Sequence, residues 1–273
     1  MALRRPSRLL VYLLLTLAAI IYLLPIYVLL VTGMKSFAEV SLKTMWNLPS
    51  GIHFDSFIEA FSKLVPNLRN SLLLAVPATV ISCMVGSLNG YIFAKLRFRG
   101  SEIIFPAILF GMFIPYQSIL IPLVRFMQSI HLYGGIPGLI LVHVIYGIPI
   151  TTLIFRNYYA TISTEILEAA RMDGASMMGV YWRVIFPLSP PSFVVVLIWQ
   201  FTSIWNEFLF AIILTNPSQW PITVALNNLA GSQIVEWNVQ MAGAFLAALP
   251  TLLVYIFLGR FFLRGLMAGA LKG

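Results

Sequence analysis

Charged residues and cysteine are both scarce in this chain of 273 residues. Only 10% of its residues are charged, whereas 60% are hydrophobic, and its mean hydropathy of +0.92 is not approached by ordinary soluble domains. The single cysteine, Cys83, excludes an internal disulfide and gives no sign of a disulfide-stapled extracellular domain. We therefore expect a membrane protein. Several apolar spans would leave no room for an attached ATPase, kinase or protease domain.

The stretches without charge mark the candidate membrane spans, because a charge in mid-bilayer costs about 3 kcal/mol on insertion scales. The first stretch is too long for a signal peptide and lacks a clear cleavage site, so we expect a retained helix. We detect no repeats, and we predict that residues 1–273 form one transmembrane domain. Its fold is predicted to be all-α and polytopic, with six spans at about 9–33, 70–94, 103–124, 136–155, 188–214 and 238–260.

Lysine and arginine are unevenly distributed between the two sides of these spans. Six spans place both termini on one side, and that side carries twelve of the 17 basic residues. Because basic residues remain in the cytoplasm more readily than they cross, both termini are predicted to be cytoplasmic. Residues 156–187 then form an inside loop, and residues 34–69 and 215–237 form outer loops. This topology and contact with anionic lipid explain the net charge of +8, so no nucleic-acid role is predicted.

Motifs for catalysis and ion coupling are also missing. The chain has no phosphate-binding loop and no HExxH zinc motif. We interpret His53, His131 and His143 as turn or packing residues, and we predict no metal site, no catalytic residues and no cofactor of the chain's own. Glu207 is the only acid near a span interior, and we interpret it as a solvated or hydrogen-bonded helix end. A membrane-embedded enzyme would need clustered polar residues and an ion-coupled carrier would need membrane acids, so both classes are disfavoured.

The inside loop differs in character from the rest of the chain. Ser163 can cap a helix whose first turns are acidic and include Glu168, and Gly174 suits the left-handed residue that ends a helix. A second helical piece would run to Pro187. The loop is therefore predicted to contain two short helices joined at a glycine on the cytoplasmic surface. The alternative is an interfacial amphipathic hairpin with a weak pair between Glu168 and Arg171.

The spacing within this loop resembles a known motif. The residues that carry the resemblance are Glu168, Ala169, Ala170, Gly174 and Pro187. They look like the EAA loop of membrane subunits of bacterial ATP-binding-cassette importers, from which Val184 and Phe186 depart mildly. The stretch Trp205–Phe208 and the ending Gly265–Gly273 are similar to the smaller, six-span subunit of maltose-type carbohydrate permeases. The resemblance implies the permease fold of type I importers and a location in the bacterial cytoplasmic (inner) membrane.

The resemblance also implies partners and site residues. The partners would be a second, distinct permease subunit, two ATPase subunits that bind ATP and Mg, an extracytoplasmic sugar-binding protein and the lipid bilayer. The residues expected to couple to the ATPase are Glu168, Ala169, Ala170, Asp173, Gly174 and Pro187. The tail after Arg264 would reach between the ATPase subunits, although its composition alone favours a position along the membrane surface.

The resemblance suggests roles for two further groups of residues. In similar permeases the last outer loop contacts the binding protein, and the residues expected to do so here are Trp220, Asn227, Asn228 and Gln233. An ordinary interfacial loop would have the same composition. Trp205, Asn206 and Glu207 are expected to lie at the pathway or its gate. The stretches Ile114–Leu123 and Trp205–Phe208 are similar to those of uptake systems for glucose or mannose. The resemblance therefore implies a permease subunit for a mono- or disaccharide. Glucosylglycerol, an oligosaccharide or an amino acid are alternative substrates.

Overall fold

The structure is a computed structural model that describes residues 8–96, 98–230 and 235–270, with side chains up to residue 261 in the last segment. In these ranges the regular secondary structure is helical, apart from an isolated bridge between Gly134 and Thr215. The predicted all-α class is thus confirmed. The α-helices are α1 (Arg8–Gly33), α2 (Asp55–Lys95), α3 (Ser101–Phe110), α4 (Leu120–Ser129), α5 (Ile136–Ala160), α6 (Thr164–Met172), α7 (Met177–Val180), α8 (Pro190–Trp205), α9 (Leu209–Leu214), α10 (Ile222–Ala230) and α11 (Trp237–Ala270).

Four helices in the described ranges are long and apolar enough to cross a bilayer: α1, α2, α5 and the segment Trp237–Phe261 of α11. Two pairs of helical segments would bring the number to six if each pair formed one bent span. Ser101–Phe113 meets Tyr116–Ser129 at 90°, and Met177–Ile185 meets Pro190–Trp205 at 87°. The count of six spans remains a prediction, and the chain has several helices suited to a membrane.

Helices α2, α5 and α11 extend beyond the predicted spans. Residues 55–69 were expected to be outer loop, but α2 begins at Asp55. This first part of α2 is amphipathic, because Ala60 and Leu64 are buried. On its exposed side Lys63 Nζ lies 2.5 Å from Glu59 Oε1 one turn earlier, a spacing that supports an exposed helix face. Charge-free stretches locate the apolar part of a helix and not its ends. For the same reason α5 continues to Ala160 and α11 to Ala270.

The third and fifth predicted spans are not continuous helices. In the third, α3 is followed by a 3₁₀ turn, by the extended residue Ile114 and by a second 3₁₀ turn before α4. Pro115 disfavours a helical conformation at Ile114, and this explains the bend. In the fifth, α8 ends at Trp205 and α9 begins at Leu209. The sequence contains no proline that would explain this second break.

The chain divides into two compact units. One comprises Met1–Pro66 and Ala225–Leu249. Its small core contains Ala60, Val239 and Ala242, with Phe57 and Leu246 packed against them. Most of α1 projects from this core, because its buried residues are confined to the last turn, at Val31, Thr32 and Gly33. A largely exposed apolar helix of 26 residues suits a lipid environment.

The other unit comprises Asn67–Val224 and Pro250–Gly273. Helices α2 and α5 approach closely in it because two glycines of α2 lack side chains. A Cβ at Gly86 would lie 2.3 Å from Thr151 Oγ1, and one at Gly90 would lie 2.5 Å from Phe155 Cβ. Substitution of either glycine would therefore push the helices apart. The core of this unit also receives side chains from α6, α7 and α8.

Candidate coupling hairpin and helix break

The loop that follows α5 forms a helical hairpin, which we define as residues 164–185. Helix α6 begins after Ser163, whose Oγ accepts a hydrogen bond from the Glu165 backbone N–H at 3.2 Å. Helix α7 begins after Ser176, whose Oγ accepts one from the Gly179 N–H at 3.1 Å. A π-helical turn, Tyr181–Ile185, completes the hairpin. The prediction of two short helices with a serine cap is confirmed.

Gly174 forms the corner between α6 and α7. Its φ of +87° is left-handed, as predicted. The Ala175 N–H donates to the Ala170 carbonyl at 3.0 Å, and the Gly174 N–H donates to the Arg171 carbonyl at 3.0 Å. These two bonds form a Schellman motif, which ends a helix with a left-handed residue. No atom lies within 4 Å of a Cβ built at Gly174, so backbone conformation and not crowding requires glycine here.

One face of the hairpin is embedded in the core of the second unit. Leu167, Val180, Tyr181 and Ile185 are buried there. They belong to one cluster with residues of the long helices, namely Cys83, Tyr91, Phe155, Tyr159 and Val196. Burial of a large apolar side chain contributes about 1.5–3 kcal/mol. The hairpin is therefore part of the helical core and does not merely lie at an interface.

A buried set of hydroxyl groups fixes the hairpin to the neighbouring helices. Ser87 Oγ of α2 lies 2.6 Å from Tyr159 OH of α5 and 2.9 Å from Tyr181 OH of the hairpin. Ser189 Oγ lies 2.9 Å from the same Tyr159 OH. In addition, Tyr91 OH of α2 donates to the Met177 carbonyl at 3.1 Å. Directional bonds in a buried site specify one position of the hairpin relative to α2 and α5.

The opposite face of the hairpin is exposed. It carries Glu168, Ala169, Asp173 and Gly174, whereas Ala170 is half-buried. Large apolar side chains accompany them, with Met172 89% exposed and with Met177, Met178 and Trp182 also exposed. Pro187 is exposed in the turn before α8. The ion pairs of the described residues do not include one between Glu168 and Arg171. An acidic group beside exposed methionines and a tryptophan is typical of a protein-binding surface.

The second candidate site is the break between α8 and α9. Glu207 Oε1 accepts a hydrogen bond from the Phe210 N–H at 2.7 Å, and its Oε2 accepts one from the Ala211 N–H at 3.1 Å. The carboxylate thus caps the start of α9, as the interpretation of a hydrogen-bonded helix end predicted. Trp205 is buried and stacked on Phe201, whereas Asn206 is exposed at the break.

An aromatic cluster surrounds this break, and it was not predicted. His143 of α5 is buried, and its Nε2 lies 3.8 Å from Glu207 Oε2. The ring of Phe210 contacts His143, Tyr146 and Tyr116 at centroid distances of 6.0, 5.1 and 5.2 Å. The available signal was that His143 and Glu207 are ionisable residues within otherwise charge-free stretches, which are often functional. Only the fold shows that they are neighbours.

The residues expected to face a binding protein differ in their exposure and in their contacts with the rest of the chain. The Trp220 carbonyl accepts hydrogen bonds from the side chains of Asn67 at 2.8 Å and Asn70 at 3.2 Å, so this turn is fixed to α2. Asn227 and Asn228 are exposed on α10. Gln233 lies outside the described residues. The described part of the chain contains no group of three or more His, Cys, Asp or Glu residues suited to a metal ion.

The known proteins that this chain resembles are membrane components of transport systems. Residues 86–267 match the family described as binding-protein-dependent transport system inner membrane component. The chain is 48% identical over 270 residues to a probable ABC transporter permease protein of Pyrococcus horikoshii, covering 98% of both chains. It is 34% identical to the xylose/arabinose import permease protein XacI of Haloferax volcanii, covering 91% of this chain and 88% of that one.

A solved structure has the same fold. It is a chain from the crystal structure of a bacterial ABC transporter involved in the import of the acidic polysaccharide alginate. The TM-score is 0.80 at 23% identity, and the match covers 96% of this chain and 100% of that chain. The expected permease fold of these importers is therefore confirmed.

Proposed function

Because the chain belongs to the family of inner membrane components of binding-protein-dependent transport systems, we propose that it is the permease subunit of an ATP-driven sugar importer. It forms half of the translocation pathway and pairs with a second, distinct permease subunit. Two cytoplasmic ATPase subunits bind ATP and Mg, and an extracytoplasmic protein delivers the sugar. The chain itself carries out no chemistry, and it resides as a multi-pass protein in the bacterial cytoplasmic (inner) membrane.

The observation that carries this proposal is the division of the hairpin into a buried face and an exposed face. Leu167 and Tyr181 are buried in the core of the second unit, while Glu168 and Met172 are exposed. A chain without a nucleotide site of its own has to be driven by a partner that touches it. A hairpin fixed to the long helices would transmit such contact to them, because packed helices move as rigid bodies.

We expect the exposed face to dock into a groove of an ATPase subunit, where Glu168 pairs with a basic residue and the methionines fill apolar space. Methionine suits such a groove because its flexible side chain adapts to irregular surfaces. Ala169 leaves room for close approach, and Asp173, at the end of α6, adds a second acidic group. Pro187 lies in the turn between the hairpin and α8.

Charge reversal at Glu168 tests the docking directly. Like charges placed together at an interface cost several kcal/mol, so Glu168→Lys should weaken ATPase docking by more than about tenfold. Glu165→Lys is the matched control, because Glu165 is also exposed on α6 and the charge change is identical. Docking is measured as binding of purified ATPase subunits to the membrane-embedded permease pair, and uptake is measured in vesicles.

We expect Glu165→Lys to retain most of the docking, while Glu168→Lys loses docking and uptake but still inserts in the membrane. Equal docking of both variants and the wild type would contradict the assignment of Glu168. Equal loss in both variants would show a general sensitivity to charge and not a specific contact.

The substrate is proposed to be a sugar of one or two units, with glucose or mannose types favoured. One relative is named as a xylose/arabinose import permease. This name supports a sugar as the substrate of the chain, and it adds pentoses to the candidate sugars. Glucosylglycerol, an oligosaccharide or an amino acid remain the alternatives. Trp205, Asn206 and Glu207 would lie at the pathway or its gate. Melting-temperature shifts of the cognate binding protein on ligand addition would identify the substrate, since a ligand stabilises the state that binds it.

The outer loop is proposed to contact the binding protein through Trp220, Asn227, Asn228 and Gln233. Amides and aromatic rings suit both a protein surface and sugar hydroxyls. Deletion of residues 227–232 should impair sugar release from the binding protein while basal ATP hydrolysis persists. If both activities fell equally, a folding defect would explain the result and the proposed role would fail.

A further inference from the structure

A cavity of about 300 Å³ lies within the first unit, beside the last turns of α1. The loop that follows α1 and the start of α11 complete its wall. Most of the lining is apolar and includes Val28, Leu42, Met45 and Trp237. The volume is at the lower end of the range for small-ligand pockets. Nothing in the proposed transport function uses this cavity.

Two of the three polar residues that line this cavity, Thr32 and Lys35, have hydrogen-bonding capacity that is not used up. Lys35 is only 2% exposed, and its Nζ donates to the Thr44 carbonyl at 2.7 Å, although an ammonium group has three donors. Thr32 is 5% exposed, and its Oγ1 has no hydrogen-bond partner among the described residues. A buried ammonium group and a buried hydroxyl group with unused donors are stabilised by a ligand that offers several hydrogen-bond acceptors.

The charge of Lys35 is incompletely balanced within the described part of the chain. The ion pairs there join Lys63 to Glu59 and Glu236, and His143 to Glu207, so none includes Lys35. Burial lowers the pKa of Lys35 from its usual value. The negative charge of Glu39 raises this pKa, but to a smaller extent. Glu39 Oε1 accepts a hydrogen bond from Ser50, whereas Glu39 Oε2 is buried without a hydrogen-bond partner among the described residues.

The position of the cavity along α1 indicates what can enter it. A helix of 26 residues is about 39 Å long, whereas the hydrocarbon core of a bilayer is about 30 Å thick. The last turn of α1 therefore lies near the level of the lipid head groups. The side chains along the rest of α1 are apolar and mostly exposed, so a lipid can reach the cavity along any side of α1 that the second permease subunit leaves uncovered.

We propose that this cavity binds an anionic phospholipid of the surrounding bilayer. Lys35 and Thr32 donate hydrogen bonds to the phosphate oxygens, and Val28 and Met45 contact the first carbons of the acyl chains. A phosphate supplies the acceptors that both polar groups lack. An anionic head group complements Lys35 better than a zwitterionic one. The bound lipid would hold the loop after α1 against the start of α11.

The test uses the full transporter complex in nanodiscs. A cysteine replaces Leu42, which lines the cavity and is 90% exposed, and it carries a bimane fluorophore in a complex without other reactive cysteines. Phospholipids brominated near the head-group end of the acyl chains quench the label when they occupy the cavity. Brominated phosphatidylglycerol and brominated phosphatidylcholine are compared at equal mole fraction. We expect about a fivefold preference for phosphatidylglycerol.

Lys35→Gln should abolish this preference, and Lys35→Arg should retain it. Lys43→Gln is the matched control, because Lys43 is exposed in the same loop and is not part of the cavity wall. The proposal is overturned if the two lipids quench the wild type equally, or if Lys43→Gln reduces the preference as much as Lys35→Gln does. Absence of quenching by either lipid would also overturn it, because another protein surface would then cover the cavity. The lipid comparison in the wild type and Lys35→Arg decides the matter even if Lys35→Gln does not fold.

Discussion

Substitution of Gly174 offers a quantitative test of how the hairpin works. Its φ of +87° lies in the left-handed region, where a residue with a Cβ pays about 1–2 kcal/mol. A Cβ at this position would meet no atom within 4 Å, so the whole cost is conformational. For Gly174→Ala we therefore expect the left-handed corner to be disfavoured by a factor of about 5–30.

The cost should depend on the substituted residue in a defined order. Asparagine visits the left-handed region more readily than alanine, so Gly174→Asn should be the mildest change. Valine is branched at Cβ and should be the most damaging. Gly111→Ala is the matched control, because Gly111 has an ordinary helical φ of −55° and its Cβ would also meet nothing within 4 Å.

The assay is ATP hydrolysis stimulated by the binding protein, measured together with uptake in reconstituted vesicles. Both should fall in the order wild type, Asn, Ala, Val at a fixed, limiting concentration of ATPase subunits, while Gly111→Ala remains at the wild-type level. Equal activity of the three Gly174 variants would refute the argument from backbone conformation. Wild-type docking and uptake in Gly174→Ala would refute the role of the corner itself.

Four further changes test other parts of the chain. Leu167→Ala should destabilise the hairpin by about 2–5 kcal/mol, seen as a lower melting temperature; an unchanged value would mean that the hairpin is not part of the core. Tyr91→Phe removes the bond to the Met177 carbonyl, worth about 1 kcal/mol, and should reduce stimulated more than basal ATP hydrolysis. Glu207→Gln should weaken the cap of α9 by about 1 kcal/mol, which faster hydrogen exchange at Phe210 and Ala211 would reveal. Removal of residues 268–273 should lower transport-coupled ATP hydrolysis without disassembly, whereas full activity would favour a tail on the membrane surface.

The hairpin was predictable from sequence because the residues that define it act on their close neighbours in the chain. Ser163 caps α6, and Gly174 supplies the left-handed residue at its end; both act within one or two turns. The all-α class was predictable for a related reason, since an apolar run in lipid satisfies its backbone only as a helix. Neither prediction needed any contact between distant parts of the chain.

The break before α9 and the π-helical turn were not predictable in the same way. The bonds that Glu207 accepts from the Phe210 and Ala211 backbone are local, but Thr223 Oγ1 also donates to the Glu207 carbonyl at 2.9 Å across 16 residues of sequence. The π-helical turn places the Tyr181 hydroxyl beside Ser87, which precedes it by more than 90 residues. Hydropathy and charge spacing contain no information about such long-range contacts.

Helix α8 connects the two candidate sites. It begins at Pro190, after a short turn that follows the hairpin, and its 16 residues make it about 24 Å long. The turn before it is held by Ser189, whose Oγ bonds to Tyr159 and to the Ile185 carbonyl, and its far end is the break at Glu207. A continuous helix transmits a displacement along its axis, whereas a break allows the following segment to move separately. Force applied at the hairpin would therefore reach Glu207 and His143 through α8 and be released there as a change in the angle of α9. We therefore expect the break, and not the hairpin, to be the place where docking of a partner alters access to the pathway.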